Sequence, residues 1–184
     1  MDRLSLVKAL QSYTTEFSEE SRFTHQFIEL LNHKDCFQRT FLPGHITGSS
    51  WIINPKRTKT LLVHHAKLNK WVQPGGHADG DENVLNVALR EAEEETGLKV
   101  LNPSPDIFDI DIHPIPARKD FPAHFHYDIR FLVVANEDER IVVSEESHDV
   151  QWIALDQLEN FSSERSVVRM KEKLNSIHSH RIHG

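Results

Sequence analysis

Glu91, Glu94 and Glu95 stand at i, i+3 and i+4 in the run from Val84 to Thr96, where apolar residues recur at helical spacing. On a helical wheel stepped about 100° per residue, Val84, Leu85, Ala88, Leu89 and Ala92 fill one arc. Glu91 and Glu95 fall roughly 20° to either side of Val84, and Glu94 lies near −80°. Only Glu93 points clearly away. A surface helix ordinarily keeps its charges opposite its apolar stripe, so three carboxylates at the border of the stripe repel one another by about 0.2–0.5 kcal/mol per pair even when solvated. Arg90, one turn before Glu94, offsets part of that charge. A hard divalent cation is the natural remainder, and Mg²⁺ suits it because it binds a few carboxylates while leaving positions for water and phosphate oxygens. A solvated acidic face is the other reading of the helix taken alone.

The flanking sequence separates the two. Gly76-His-Ala-Asp-Gly-Asp-Glu82, seven residues, then Arg90-Glu-Ala-Glu-Glu-Glu-Thr-Gly-Leu98 resembles the Nudix box at every fixed position: Gly76, Glu82, Arg90, Glu91, Glu94, Glu95 and Gly97. Chance agreement at average residue frequencies is on the order of 10⁻⁹ to 10⁻⁸ per window. Trp71-Val-Gln-Pro-Gly-Gly76 also resembles the family's approach to the box, a strand followed by a sharp glycine turn. Ala92 departs from the pattern, being smaller than the usual aliphatic residue, which bears on local packing. The resemblance covers roughly residues 44–160. It implies a Nudix-type α/β/α sandwich with a mixed sheet, and hydrolysis of a diphosphate linkage in a nucleoside diphosphate derivative. It implies Glu91, Glu94 and Glu95 as metal ligands with the Gly75 carbonyl, Mg²⁺ as the ion with Mn²⁺ as a substitute, and Arg90 with Glu82 as the pair that orients them. Water attacking phosphorus needs a proton acceptor. Glu94 is the first choice within the box, and Glu145 and Glu146, in the connection Ser144-Glu-Glu-Ser-His-Asp149, are the loop candidates.

His77 follows the glycines, His113 ends a β-type run, and His124 and His126 alternate onto one face of an extended segment. Such a set could bind a transition metal or contact phosphate. The favoured reading is histidines at a strand edge or in a substrate pocket, with His77, His126 and Tyr127 as substrate-binding residues. Trp51, Trp71, Phe121, Phe125 and Tyr127 could stack a base, although aromatic residues beside strands more often belong to the core. Two other functions compete: an isoprenoid-diphosphate isomerase-like enzyme on a similar fold, and a nucleotide-binding module without catalysis. The first relies on a reactive cysteine, and Cys36 precedes the expected start of the fold. The second could dispense with box carboxylates that are all present.

The elements that must position these groups follow from periodicity. Helices are expected over residues 3–15, 18–33 and 82–96, the second opening on a Ser18 cap with Glu19 and Glu20 behind it and the third ending at Gly97. Strands are expected over 46–53, 60–64, 107–112, 127–135 and 150–153, and closing helices over 155–160 and 163–177. Residues 1–40 read as a helical extension and 41–184 as the catalytic domain, an α/β fold. With 28 acidic against 21 basic residues the chain offers no footprint for a nucleic acid polymer or an anionic membrane, which leaves a small nucleotide-like partner. A homodimer is an assembly the resemblance allows. A single cysteine and the lack of an apolar leader or span point to the cytoplasm. The histidine-rich tail, His178, His180 and His183, reads as a site of adventitious metal capture.

Overall fold

The computed structural model describes residues 1–99, 101–119 and 121–182, and the side chains of His178, His180 and His183 lie outside that description. Helix α1 (Arg3–Gln11) starts on Asp2, whose carboxylate accepts the Ser5 N–H at 2.9 Å. Helix α2 (Ser18–Leu30) starts one residue earlier than its expected cap: Phe17 is the N-cap and Ser18 is already helical, while the Thr15 hydroxyl accepts the Phe17 N–H. Helix α3 (Val84–Thr96) is capped by the Asn83 side chain and ends at Gly97 in the left-handed region, φ +75°. A Cβ at Gly97 would also lie 2.7 Å from that of Val142, so both conformation and space require glycine. Helix α4 (Arg165–Ile182) closes the chain after a 3-10 turn at Leu155–Asn160. No helix of the described residues is long and apolar enough to cross a membrane.

The strands β1 (Gly44–Ile53), β2 (Lys59–His65), β3 (Lys70–Val72), β4 (Gly75–His77), β5 (Leu101–Ile115), β6 (His124–Ala135) and β7 (Ser147–Ala154) form one mixed sheet. Its order is β3-β2-β1-β6-β5, with β4 added to β1 and β7 to β2. The pairing of β1 with β6 is parallel and the other pairings are antiparallel. The glycine turn expected at Gly75-Gly76 is not there; the turn before the helix falls at Asp79-Gly80, where Gly80 has φ +90°. Gly75 and Gly76 are strand residues paired with Ser49 and Gly48, and neither has a positive φ.

Helices cover both faces of the sheet. On one, Val84, Val87 and Ala88 of α3 pack with Ile46, Ile110, Ile129 and Phe131, and Leu6, Leu10 and Phe27 of α1 and α2 join the same cluster. On the other, Val167, Met170 and Leu174 of α4 cover Trp51, Ile53 and Phe108. Ala92 is fully buried against Ile52, Leu61 and Val63, so the small residue lies where the helix crosses the sheet. The N-terminal helices are therefore packed into the core and also tied to it by charge. Glu20, fully buried, accepts from Tyr13 at 2.7 Å and from the Ile110 N–H at 3.1 Å, and pairs with Lys173.

A buried methylene lost from such a cluster leaves a cavity that the surroundings fill only in part. Leu10→Ala is expected to lower unfolding stability by about 2–5 kcal/mol without altering substrate affinity. Denaturant titration checks this, and a loss under about 0.5 kcal/mol would mean that α1 is an unanchored appendage.

Candidate active site

Helix α3 sets its carboxylates against β4. Glu95 is 7% exposed and accepts the Gly75 N–H at 2.9 Å. Burial pushes its carboxyl up to about 7; the hydrogen bond from Gly75 opposes this, and the charges of Glu91, Glu146 and Glu94 add to it. Glu91 is half-buried and likewise raised by burial, against the pull of Arg90. Gly76 lies directly under Glu91, where a Cβ would run into the carboxylate. The Arg90 guanidinium donates to Glu91 at 2.8 Å and to the His77 carbonyl at 2.9 Å, and lies 3.8 Å from Glu94. Glu94 itself is exposed. Two raised carboxylates with a single guanidinium between them are a donor set short of positive charge. Hard oxygen ligands facing an open cleft are what a Mg²⁺-class ion requires, so Glu91, Glu94 and Glu95 fit the expected metal.

The cleft beside them has a volume of about 1510 Å³. Its floor is the polar face of the sheet, assembled by register. Thr47 lies between His77 and Asp128, and His45 is level with His126, which is level with His113. Asp128 accepts from Thr47 at 3.0 Å, Ser49 at 2.7 Å and Arg130 at 2.7 Å. Arg130 continues to Asp109 and Asp111, which also pair with Arg169 of α4. Burial alone would raise the Asp109 and Asp111 carboxyls, but these cations hold both below the ordinary range.

Five imidazoles share one end of this floor. The ring of His45 lies 5.2 Å from His77, 5.0 Å from His124 and 5.1 Å from His126, and the ring of His113 lies 5.5 Å from that of His126. Burial lowers His77 to about 4, helped by the charge of Arg39, and lowers His126 to about 2, helped by His77 and His113.

Most of the residues singled out from sequence converge here. Glu91, Glu94, Glu95, Arg90, Gly75, His77, His126 and Glu146 all line the cleft. Two carboxylates expected to act near it are placed otherwise. Glu145 is not among the residues lining the cleft, although its neighbour Glu146 is; both are exposed residues of the turn before β7. Glu82 pairs with Arg3 at 2.8 Å instead of with Arg90, so α1 takes the partner expected for the box arginine. Tyr127 is also corrected. Alternation along β6 turns it away from His126 and Asp128, and its ring meets Phe27 of α2 edge-on at 5.3 Å. Of the aromatic residues offered for base stacking, Phe121 lines the cleft, Trp51 is core, and Trp71 stacks on His64. His45 was missed. It lies one residue before the strand expected from sequence, and its parallel register with His126 brings it to the cluster.

A family model described as NUDIX domain matches residues 44–172. The chain is 34% identical over 136 residues to a probable DHNTP pyrophosphohydrolase of Lactococcus lactis subsp. cremoris, covering 73% of this chain and 80% of the relative. Among solved structures, the fold is similar to a C. elegans Ap4A hydrolase binary complex, with TM-score 0.59, 17% identity and coverage of 73% of this chain and 97% of that one. It is also similar to the E. coli dihydroneopterin triphosphate pyrophosphohydrolase, with TM-score 0.53, 14% identity and coverage of 70% and 92%.

The histidine cluster makes stability depend on acid. The folded protein keeps His77 and His126 neutral, whereas the unfolded chain protonates them near pH 6.5. The unfolded state then binds more protons, so stability falls from about pH 6.5 toward 4, by up to ~1.4 kcal/mol per pH unit for each histidine. Burial of His45 adds in the same direction. Glu95 and Glu91 oppose it, since their raised carboxyls take protons first in the folded state. Asp109 and Asp111 stay outside this window, because stability held by lowered carboxyls is lost only below about pH 4. Melting in EDTA should therefore show Tm dropping between pH 7 and 4.5, and the double variant His77→Asn/His126→Asn should flatten or reverse that slope. An unchanged slope in the double variant would refute this account.

Proposed function

The chain belongs to the Nudix family of pyrophosphohydrolases, and from that premise we propose that it is a divalent-metal-dependent hydrolase cleaving a diphosphate linkage in a nucleoside diphosphate derivative or a similarly built nucleotide-like compound. The observation that carries this reading is that Glu91, Glu94 and Glu95 of the box and the loop carboxylate Glu146 line the same cleft. When bound by Glu91, Glu94 and Glu95, Mg²⁺ supplies charge neutralisation on the diphosphate and a more acidic water.

The side chains supply the rest. Gly75 fixes Glu95 by its N–H, and Arg90 fixes Glu91 while anchored to the His77 carbonyl, so the ligands are held by β4 and not by a mobile loop. Lys67 and Arg118, lining the same cleft, are cations for phosphate oxygens. Glu146 is the base of choice. It faces the carboxylates closely enough to raise Glu95, and its own backbone carbonyl is pinned by the Ala66 N–H at 3.0 Å. It takes the proton of the attacking water as the new oxygen–phosphorus bond forms and the bridging phosphorus–oxygen bond breaks. A cleft of about 1510 Å³ exceeds the roughly 300–1,000 Å³ of ordinary ligand pockets, so both sides of a diphosphate fit. The DHNTP and Ap4A activities named for the relatives support a substrate of this kind. An isomerase reading finds no support in Cys36, which is buried and whose thiol burial pushes up to about 11.

Three substitutions divide the roles. Glu95→Gln keeps an acceptor for Gly75 but removes a ligand, so turnover in Mg²⁺ should fall by ~10²-fold or more while metal-free stability holds or rises slightly. Activity within threefold of the parent would remove Glu95 from the site. Glu146→Gln should lower kcat by about 10²–10⁴-fold with little change in KM, the mark of an interaction made in the transition state. Glu145→Gln, at a residue that does not line the cleft, should stay within about fivefold of the parent. Equal losses in the two loop variants would count against Glu146 as the base, since they would point to the loop as a whole.

A further inference from the structure

We propose that His45, His77 and His126 form a second metal site, separate from the carboxylates, that takes a borderline transition-metal ion of the Zn²⁺ class and offers it an open position toward the cleft. A ligand nitrogen of each lies within 4.8 Å of those of the other two, and a tetrahedral ion with nitrogens at about 2.0–2.1 Å would draw them in to roughly 3.3–3.4 Å.

Hydrogen bonding shows which nitrogens are available. Carbonyl and carboxylate oxygens only accept, so a ring nitrogen beside one carries its proton. His45 Nδ1 lies 3.2 Å from the Phe41 carbonyl, His124 Nδ1 lies 2.9 Å from the Pro122 carbonyl, and His113 Nδ1 lies 3.2 Å from the Asp111 carboxylate. Of the three proposed ligands it is His45 whose Nδ1 is anchored on an oxygen, and its Nε2 is then a bare lone pair. Anchoring of Nδ1–H by an oxygen acceptor is the arrangement that orients histidine for metal ligation through the other nitrogen.

His45 Nε2 is buried and has no hydrogen-bond partner. An orphaned buried polar atom costs about 1–3 kcal/mol, which a coordinated ion would recover. Nearby, His124 Nε2 and His126 Nε2 approach to 3.3 Å. One can donate to the other, but that leaves His45 orphaned.

Imidazole favours Zn²⁺, Co²⁺ or Cu²⁺ over Mg²⁺, so the cluster and the carboxylates would draw different metals. Arg39, a cation whose charge reaches His45 and His77, is paired with Asp79 through Nε at 2.5 Å, which offsets its repulsion. His77 and His126 line the cleft, so a three-histidine ion would complete its coordination with a water or a substrate phosphate oxygen.

The experiment is Co²⁺ and Zn²⁺ titration of the full chain, with His178, His180 and His183 replaced by Ala to exclude capture by the tail. One equivalent of Co²⁺ should bind with the intense visible bands of four-coordinate cobalt, and X-ray absorption should find three imidazole nitrogens. These spectra need no variant within the cluster. His126→Asn should weaken binding by more than the about 10–100-fold cost of disturbing a metal's outer shell. Glu91→Gln/Glu95→Gln should leave Co²⁺ affinity within about threefold while abolishing Mg²⁺-dependent turnover, so failure of this site and failure of the hydrolase reading are distinguishable. Absence of stoichiometric Co²⁺ binding, an all-oxygen coordination shell, or loss of Co²⁺ in the glutamate variant would each overturn the proposal.

Discussion

The parallel pairing of β1 with β6 is the constraint on which the rest depends. Antiparallel strands can be joined by a tight turn, but parallel neighbours require a long crossover, and here the intervening chain carries β2, β3, β4, α3 and β5. That crossover lays the catalytic helix on one face of the sheet and leaves part of the opposite face open. The ladder runs in unbroken register from Gly44 with Phe125 to Ile53 with Val134, so a slip of one residue would invert the entire arrangement. His45, Thr47 and Ser49 would exchange faces with Ile46, Gly48 and Ser50.

A sheet face carrying acids and bases beneath a helix is costly unless every charge is met. Here Asp109, Asp111, Asp128 and Glu20 face Arg130, Arg169 and Lys173, and hydroxyls of Thr47 and Ser49 complete the shell of Asp128. The network joins α2, β5, β6 and α4, so the cleft floor is braced from behind by the elements that close the fold. This explains why the N-terminal helices, outside residues 44–172, are integral to the packing. Leu6 and Leu10 fill one core while Glu20 enters the ionic layer.

Much of the catalytic helix was legible in sequence because its determinants are local. The wheel put Glu95 and Glu91 at the border of the apolar arc and Glu93 outside it, and the structure buries Glu95, half-buries Glu91 and exposes Glu93. Gly97 ended the helix where a left-handed residue was needed. The misplaced residues are those whose partners lie far away in the chain. Glu82 meets Arg3, 79 residues distant, and Tyr127 meets Phe27. Periodicity reports which residues share a face but not which face turns inward. Tyr127 therefore could not be separated from His126 until the register of β6 with β1 and β5 was known. The short strand β4 escaped for a related reason: two glycines favour a turn by conformational freedom, but here they serve close approach.

That three-residue strand links the two ends of the cleft. Gly75 gives its N–H to Glu95, Gly76 leaves room for the Glu91 carboxylate, and His77 carries its imidazole into the histidine cluster while its carbonyl holds Arg90. Side chains on either side of β4 thus share one rigid backbone segment, fixed to β1 by three successive residue pairs. Hard oxygen donors stand at one end and nitrogen donors at the other, with Arg90 in contact with both through Glu91 and the His77 carbonyl. A displacement of β4 by a single ångström would disturb the carboxylates and the imidazoles together. The positioning of the site therefore rests on the sheet, and the helix alone does not fix it.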